Sequence, residues 1–556
     1  MSRPWYDAYP KEVSHSLEYE QLRLTDFLVR TASKFPDYEA IEFIGKRISY
    51  RQLLDASYRF ANAVIGLGIK PGDRISLMLP NCPQYVIAYY GALFAGAVIV
   101  QTSPLYSEQE LRHQLKDSEA SLIVCLDLVY PKVKAVLEDT DIANVIVTGI
   151  QDELPFPLNK LYPFVQRRKG AFVDIHESEP VIRWPRLLKH ASDQPAQPEQ
   201  EHNSGSVAVL QYTGGTTGMP KGVMLTHANI AANVKQCQAW MYHAQEGKET
   251  ILTAVPLFHV YGMTVAMNYG VSIGARLVLV PKFDTGQLLK TIHKQRPTLF
   301  PGAPTMYIAL LNHPKLKKYD LSSITSCISG SAPLPQEVQD RFEQVTGGKI
   351  VEGYGLSECS PVTHVNPIWG KRKIGSIGLP WPDTDCRIVD DEGNELPQGE
   401  AGELCIKGPQ VMKGYWKQPE ETEAAMLDGW VRTGDIAYMD EEGYFYIVDR
   451  KKDVIIAGGF KIYPREVEEV LYEHPDIVEA AVIGVPDEYR GETVKAFIVT
   501  KSGECIEEEE LDRFCRERLA PYKVPRLYEF RPELPKTFVG KILRRMLAEE
   551  EKGKEA

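Results

Sequence analysis

The sequence predicts an α/β fold, with a large N-terminal region of several α/β subdomains and layered sheets, followed by a small α+β C-terminal domain. Three observations predict it. Strand-like apolar runs alternate with helix-length amphipathic segments along most of the 556 residues, the pattern of layered and largely parallel sheets. The chain is too long for one hydrophobic core. After about Asp449 the texture changes to short helices and strands that fill a compact unit of about 100 residues.

Taken in order, 85–100 (YVIAYYGALFAGAVIV) reads as a buried helix running into a buried strand. It is shorter than the ~20 apolar residues of a membrane-spanning helix, and its glycines interrupt it. Strand-like runs follow at 121–126, 144–148, 207–211, 276–280 and 326–329, and 190–206 is polar enough to be an exposed connector. Pro464 opens a helical pattern where its missing N–H costs nothing. Two strand-like runs (VEAAVIGV, TVKAFIVT) and a charged helix come next, and 549–556 reads as a fraying, solvated tail.

Composition excludes several classes. With 63 basic against 75 acidic residues the net charge is -12, which argues against a nucleic-acid partner. Nine cysteines are scattered with no C-x-x-C pair, so reduced thiols in a cytoplasmic protein are expected. Charge and proline stand at the N-terminus where an export signal needs an apolar run.

The segment YTGGTTGMPKG, 212–222, carries the strongest chemical signal. It follows an apolar run and precedes a helix opening near Thr226. Gly214, Gly215 and Gly218 let backbone N–H groups converge, Thr213, Thr216 and Thr217 add hydroxyls, and Lys221 adds a cation. This donor set suits triphosphate oxygens. A Walker A loop needs Gly-Lys-Ser/Thr, but Lys221 stands between Pro220 and Gly222. No G-x-S-x-G elbow or H-E-x-x-H pair occurs.

The same segment resembles the adenylate-forming superfamily of acyl-CoA synthetases, luciferases and peptide-synthetase adenylation domains. The resemblance recurs in order at PLFHVYG (256–262), GYGLSE (353–358), GWVRTGD (429–435), DRKKDVIIAGGFKIYP (449–464) and LPKTFVGKILRR (534–545). In texture the chain is most similar to bacterial medium- and long-chain fatty acid–CoA ligases. The first 200 residues match less sharply, although 79–98 resembles the early helix–strand segment.

The resemblance implies residues 1–448 as an adenylate-forming domain, 449–453 as a hinge and 454–556 as a mobile domain. It implies that Tyr354, between Gly353 and Gly355, stacks on adenine beside Gly330, Ser331 and Ala332. Ser357 keeps the phosphate-facing hydroxyl where many relatives carry threonine. Glu358, with Thr216, is implied to hold Mg2+, for which a hard carboxylate oxygen is the expected ligand. Asp435, in a loop between strands, would take the ribose hydroxyls with Arg450 assisting. Lys541 would bridge the attacking carboxylate and the α-phosphate, where preorganised positive charge lowers the barrier most. Rotation about Lys452 would then bring Gly458 and Gly459 to line a channel for coenzyme A.

ATP, Mg2+ and coenzyme A are therefore the expected co-substrates and cofactor. His259 stands in the region where amino-acid adenylation domains usually present an aspartate, which disfavours an amino-acid substrate and leaves a fatty acid. His259, Tyr261 and Gly302 are the candidate pocket residues, His259 also as a carboxylate gate. Met263 occupies the place of the gate tryptophan of some long-chain ligases. An aryl or branched acid, a carrier-protein thiol as acceptor, and a nucleotide-binding regulator without turnover remain alternatives. A fatty substrate suggests peripheral membrane contact, although no strongly basic amphipathic helix is evident. The oligomeric state stays open, a homodimer included.

Overall fold

Strands buried on both faces are apolar throughout rather than alternating, and this sequence supplies a set of them. Arg74–Met78, Val98–Gln101, Ala120–Leu126, Asn144–Thr148, Ile182–Arg183 and Val207–Thr213 form the parallel part of an eight-stranded sheet. Lys221–Thr226 and then Gly414–Tyr415 add antiparallel strands beyond Val207–Thr213. The computed structural model describes residues 3–170, 172–176, 179–198, 203–213, 220–458, 460–487, 490–501, 503–536 and 542–555.

The chain divides into two compact units. The larger comprises Ala8–Asp385 and Lys407–Val431, the smaller Met1–Asp7, Cys386–Ile406 and Arg432–Ala556. Besides the eight-stranded sheet, the larger unit holds Thr250–Thr253, Arg276–Leu279 and Glu39–Phe43 in parallel, with Lys46–Ser49 antiparallel at the edge. A further four-stranded sheet runs Ser326–Ser329, Lys349–Gly355, Val362–Val365, Leu379–Pro380. The helix expected at the start of 85–100 is Pro83–Phe94, buried at every position but the last. It feeds the fully buried strand Val98–Gln101.

In the smaller unit, Ile477–Asp487 and Gly491–Thr500 form a long antiparallel pair, flanked by the Ile455–Ala457/Phe460–Ile462 hairpin and by Leu527–Phe530. Both faces of this pair are covered. Ala480, Val482, Ala496 and Ile498 pack with Val467, Leu471, Leu511 and Cys515, which come from helices Pro464–Tyr472 and Glu508–Arg516. Ala481, Ile483, Val485 and Phe497 meet Leu534 and Leu547 on the other face.

Leu547 belongs to a helix, Arg544–Glu555, that runs through the stretch expected to fray. Lys495 binds Glu551 at 2.5 Å and Glu529 at 2.8 Å, and Arg531 binds Glu550 at 2.7 Å. Burial alone would raise the Glu529 carboxyl, yet Lys495, Arg531 and Lys554 together bring it down to about 2. The acidic run is therefore the exposed end of a docked helix rather than a fraying tail.

No helix among the described residues is long and apolar enough to cross a membrane. All nine cysteines are free thiols, eight of them buried and Cys505 exposed.

Candidate active site

In open α/β sheets, ligands gather at the carboxyl ends of the parallel strands, and several polar side chains stand there. Asn81 follows strand Arg74–Met78, Gln101 ends strand Val98–Gln101, and Thr213 ends strand Val207–Thr213. Asn81 donates to the carbonyls of Thr253 and Val255 and accepts from the N–H of Leu257 at 2.8 Å. The Tyr85 hydroxyl donates to the Leu257 carbonyl at 2.8 Å. The PLFHVYG turn is thus pinned onto the sheet edge, with half-buried His259 upon it. Gly262 must be glycine, since a Cβ there would lie 2.2 Å from the Pro256 carbonyl oxygen. From Gly262 to Asn268 the chain forms a π-helix, a form often found at functional sites. Asn268 closes it by donating to the Met263 carbonyl, and Met263 is wholly buried.

Thr213 and Lys221 pair across the ends of two antiparallel strands. Gly214, Gly215, Thr216, Thr217 and Gly218, which join them, lie outside the described residues. A strand, Lys221–Thr226, intervenes before the helix His227–Trp240, whose N-cap is Thr226. That strand pairs with Gly414–Tyr415, and the pairing brings in a residue that sequence reasoning missed. The Tyr415 hydroxyl donates to Glu358 Oε1 at 2.9 Å. Lys221 Nζ lies 5.4 Å from the centre of the Tyr415 ring and bonds Glu421. Burial and then the Glu358 carboxylate push the Tyr415 phenol well up, so it stays a donor. The cation and the carboxylate of two separate motifs therefore meet around one aromatic ring. Nothing local marks Tyr415 in KGYWK, because its importance comes from a strand pairing almost 200 residues away.

Tyr354 stands one residue before the end of strand Lys349–Gly355, opposite His364, whose ring stands edge-on to it at 5.9 Å. Burial lowers the His364 imidazole to about 3, so a neutral ring backs the tyrosine. Gly355 cannot carry a side chain, since a Cβ would come within 2.1 Å of the Pro361 carbonyl oxygen. Ser357 and Glu358 occupy the 3-10 turn that follows. Gly330 and Ser331, the latter at φ 73, begin the neighbouring turn, and Glu352 holds it by accepting from the N–H of Leu334 at 2.9 Å. Gly330 donates to the carbonyl of Gly302 at 3.0 Å, and the Tyr261 hydroxyl donates to that of Ile328 at 2.7 Å. Gly330–Ala332, Gly302 and Tyr261 thus adjoin one another. Beside them an apolar crevice of about 20 Å³ is lined by Cys237, Val265, Phe300 and Ile328, among others.

In the smaller unit Asp435 lies within strand Trp430–Met439 rather than in a loop, opposite Arg450 of strand Phe445–Arg450. Arg450 Nε is 3.2 Å from the buried Asp435 carboxylate. Lys452 is exposed on a 3-10 turn, Lys451–Asp453. Gly458, at φ 60, begins the turn of the 455–462 hairpin, and Gly459 lies outside the described residues. So does Lys541, although Lys536 and Ile542 pair on either side of its segment.

Three residues beyond Lys541, Arg544 gathers three carboxylates. Its Nε donates to Glu468 at 2.9 Å, and its Nη1 lies 3.2 Å from Asp453 and 3.5 Å from Asp449. Asp449 also accepts from the backbone N–H groups of Arg450 and Arg465, at 2.7 and 2.6 Å. Burial raises its carboxyl, with Arg544 opposing.

The chain belongs to the AMP-binding enzyme family, which matches residues 28–416. The AMP-binding enzyme C-terminal domain matches residues 466–541. A long-chain-fatty-acid–CoA ligase of Bacillus subtilis is 55% identical over 550 residues, covering 99% of this chain and 98% of that one. A long-chain-fatty-acid–CoA ligase of Escherichia coli O6:H1 is 41% identical over 561 residues, covering 100% and 99%. Among solved structures, ATP-bound MatB from Rhodopseudomonas palustris is 30% identical, with a TM-score of 0.83, covering 96% of this chain and 100% of that one.

Proposed function

We propose that this chain is an ATP-dependent fatty acid–CoA ligase acting in two steps. A fatty acid carboxylate attacks the α-phosphorus of ATP, forming the acyl-adenylate and releasing pyrophosphate. The thiol sulfur of coenzyme A then attacks the acyl carbonyl, forming the thioester, and the acyl–phosphate bond breaks to release AMP. The observation that carries this reading is the meeting of Lys221 and Glu358 around Tyr415 at the end of the Thr213–Lys221 hairpin. It gives a cation for phosphate oxygens and a carboxylate for a cation at one place. The full-length likeness to two ligases named for long-chain fatty acids supports the choice of acid.

Tyr354 offers its ring to adenine, beside Gly330, Ser331 and Ala332, and Asp435 with Arg450 takes the ribose hydroxyls. Glu358, one oxygen already fixed by Tyr415, suits Mg2+, which binds through few protein carboxylates and keeps its phosphate oxygens and waters. Thr216 is its second candidate partner, and when bound the ion neutralises charge on the phosphates. His259 and Tyr261, on the turn fixed by Asn81, and Gly302 border the acyl group. Residues 454–556 form the domain that moves about Lys452 in the 449–453 hinge, carrying Lys541 in for the first step and Gly458 and Gly459 for the second. The protein is cytoplasmic and makes peripheral contact with the membrane, where free fatty acids partition.

AMP release from a series of acids, acetate to stearate with benzoate and amino acids alongside, tests the reading. Release that needs coenzyme A and is fastest with long chains is expected. Turnover of benzoate or an amino acid with none of palmitate overturns it. A hydrogen bond to a charged acceptor is worth about 1.5–3 kcal/mol. Tyr415→Phe is accordingly expected to lower kcat/KM for ATP about tenfold or more, a larger loss than its effect on Tm explains. An undiminished kcat/KM would separate Tyr415 from the nucleotide site.

A further inference from the structure

The helix Leu158–Arg168 is built inside out. Its half-buried side, toward the protein, carries Asn159, Tyr162, Pro163 and Gln166. Asn159 Oδ1 is buried there without a hydrogen-bond partner. The outward side carries Leu158, Leu161, Phe164 and Val165, and Phe156 precedes it. Phe156 is 81% exposed, Phe164 62% and Leu161 52%. A surface helix normally turns its apolar stripe inward, and this one presents a contiguous apolar ridge to its surroundings.

Within the segment the charge is one-sided, Asp152, Glu153 and Asp174 lying just outside it. From Leu154 to Val173 there are four basic residues, Lys160, Arg167, Arg168 and Lys169, and no aspartate or glutamate, in a chain whose net charge is -12. All four are exposed. Arg167 lies over the Phe172 ring at 4.3 Å. At 100° per residue Lys160 and Lys169 flank the ridge formed by Leu161, Phe164 and Val165, and Arg168 stands in line with it at its C-terminal end. With 11 residues the helix is too short to cross a bilayer and has the length to lie along one.

We infer that the Leu158–Arg168 helix, with Phe156, is the surface by which this protein docks on an anionic phospholipid bilayer. The inference rests on the peripheral membrane contact proposed above and gives it a location. The outward apolar side chains enter the headgroup–acyl boundary, and the basic residues meet lipid phosphates. A symmetric contact with a second copy would instead set Lys160 and Arg168 of each chain near the same cations of the other, with no carboxylate in the segment to offset them.

The test is vesicle flotation of the whole protein with phosphatidylcholine alone and with phosphatidylcholine mixed with phosphatidylglycerol. The unaltered protein is expected to float with the mixed vesicles. The Leu161→Glu/Phe164→Glu variant is expected to bind them about tenfold more weakly or less. The Lys160→Glu/Arg168→Glu variant is expected to lose the preference for the anionic lipid. Both should keep their Tm and their turnover of a short, freely soluble acid. If the unaltered protein binds neither vesicle while it activates acids normally, membrane contact itself fails. If it binds and the Leu161→Glu/Phe164→Glu variant binds equally, the contact stands and its assignment to this helix is overturned. If that variant instead converts a dimer to a monomer in gel filtration, with vesicle binding unaltered, the ridge belongs to a second copy.

Discussion

Lys541→Ala is expected to slow acyl-adenylate formation by about 10²–10³-fold, the usual cost of removing one preorganised group from a developing charge. Thioester formation from a supplied acyl-adenylate is expected to stay close to the unaltered rate. The asymmetry follows from charge. In the first half-reaction two anions, a carboxylate and a triphosphate, are brought to bonding distance, and a fixed ammonium relieves their repulsion. In the second, a thiol sulfur meets the carbonyl of an acyl-adenylate that carries a single negative charge, and no such crowding arises. Pyrophosphate release measures the first step, and the rate of thioester appearance from synthetic acyl-adenylate measures the second. Equal losses in both would remove Lys541 from the role assigned to it. Its segment starts and ends at the paired residues Lys536 and Ile542, so the substitution leaves the flanking backbone contacts in place.

Arg544→Met is expected to have the largest effect on stability, about 3 kcal/mol or more in urea unfolding, because removing one partner leaves buried carboxylates uncompensated. Asp449 and Glu468 are both buried, and Arg544 lies against each. The pH dependence has a definite sign. Burial already raises the Asp449 carboxyl above its usual value, and loss of the opposing guanidinium raises it further. A carboxyl raised in the folded state contributes stability below its unfolded value, and that contribution is lost as pH rises through the folded value. The deficit of the variant should therefore narrow as pH falls from neutrality toward 4. A deficit that is constant with pH would mean that packing of the arginine stem, rather than charge, is what the substitution removes. The same residue links the 449–453 segment to the stretch bearing Lys541, so adenylation by Arg544→Met should fall more than its stability alone explains.

Much of the fold was legible because buried parallel strands leave a local signature. The runs at 144–148 and 326–329 coincide with strands Asn144–Thr148 and Ser326–Ser329, and 85–100 holds a buried helix and strand as read. The family was legible because its motifs recur in order. What was not legible depends on distant partners. Lys221–Thr226 is a strand because Val207–Thr213 and Gly414–Tyr415 lie on either side of it. Asp435 sits in a strand because Arg450 is across from it, although Gly434 beside it suggests a turn. The acidic terminus is helical because Leu547 has a core to enter and Lys495 awaits Glu551. The Leu158–Arg168 helix escaped notice because Pro157 and Pro163 break the pattern and its apolar stripe faces outward. Tyr415 carries no local mark at all.

Burial of the cysteines decides which sulfur an activated acyl group can meet. An acyl-adenylate acylates thiolates, and a thiol that stays protonated is a poor nucleophile. Burial pushes the Cys515 thiol up to about 11 and Cys82 to about 12, Cys125, Cys237 and Cys327 higher still, and it raises Cys359 well above the usual thiol value. Cys237, which lines the apolar crevice, is among them. An enzyme that makes an acylating agent and hands it to a thiol thereby keeps eight of its own nine sulfurs buried, Cys505 alone being exposed.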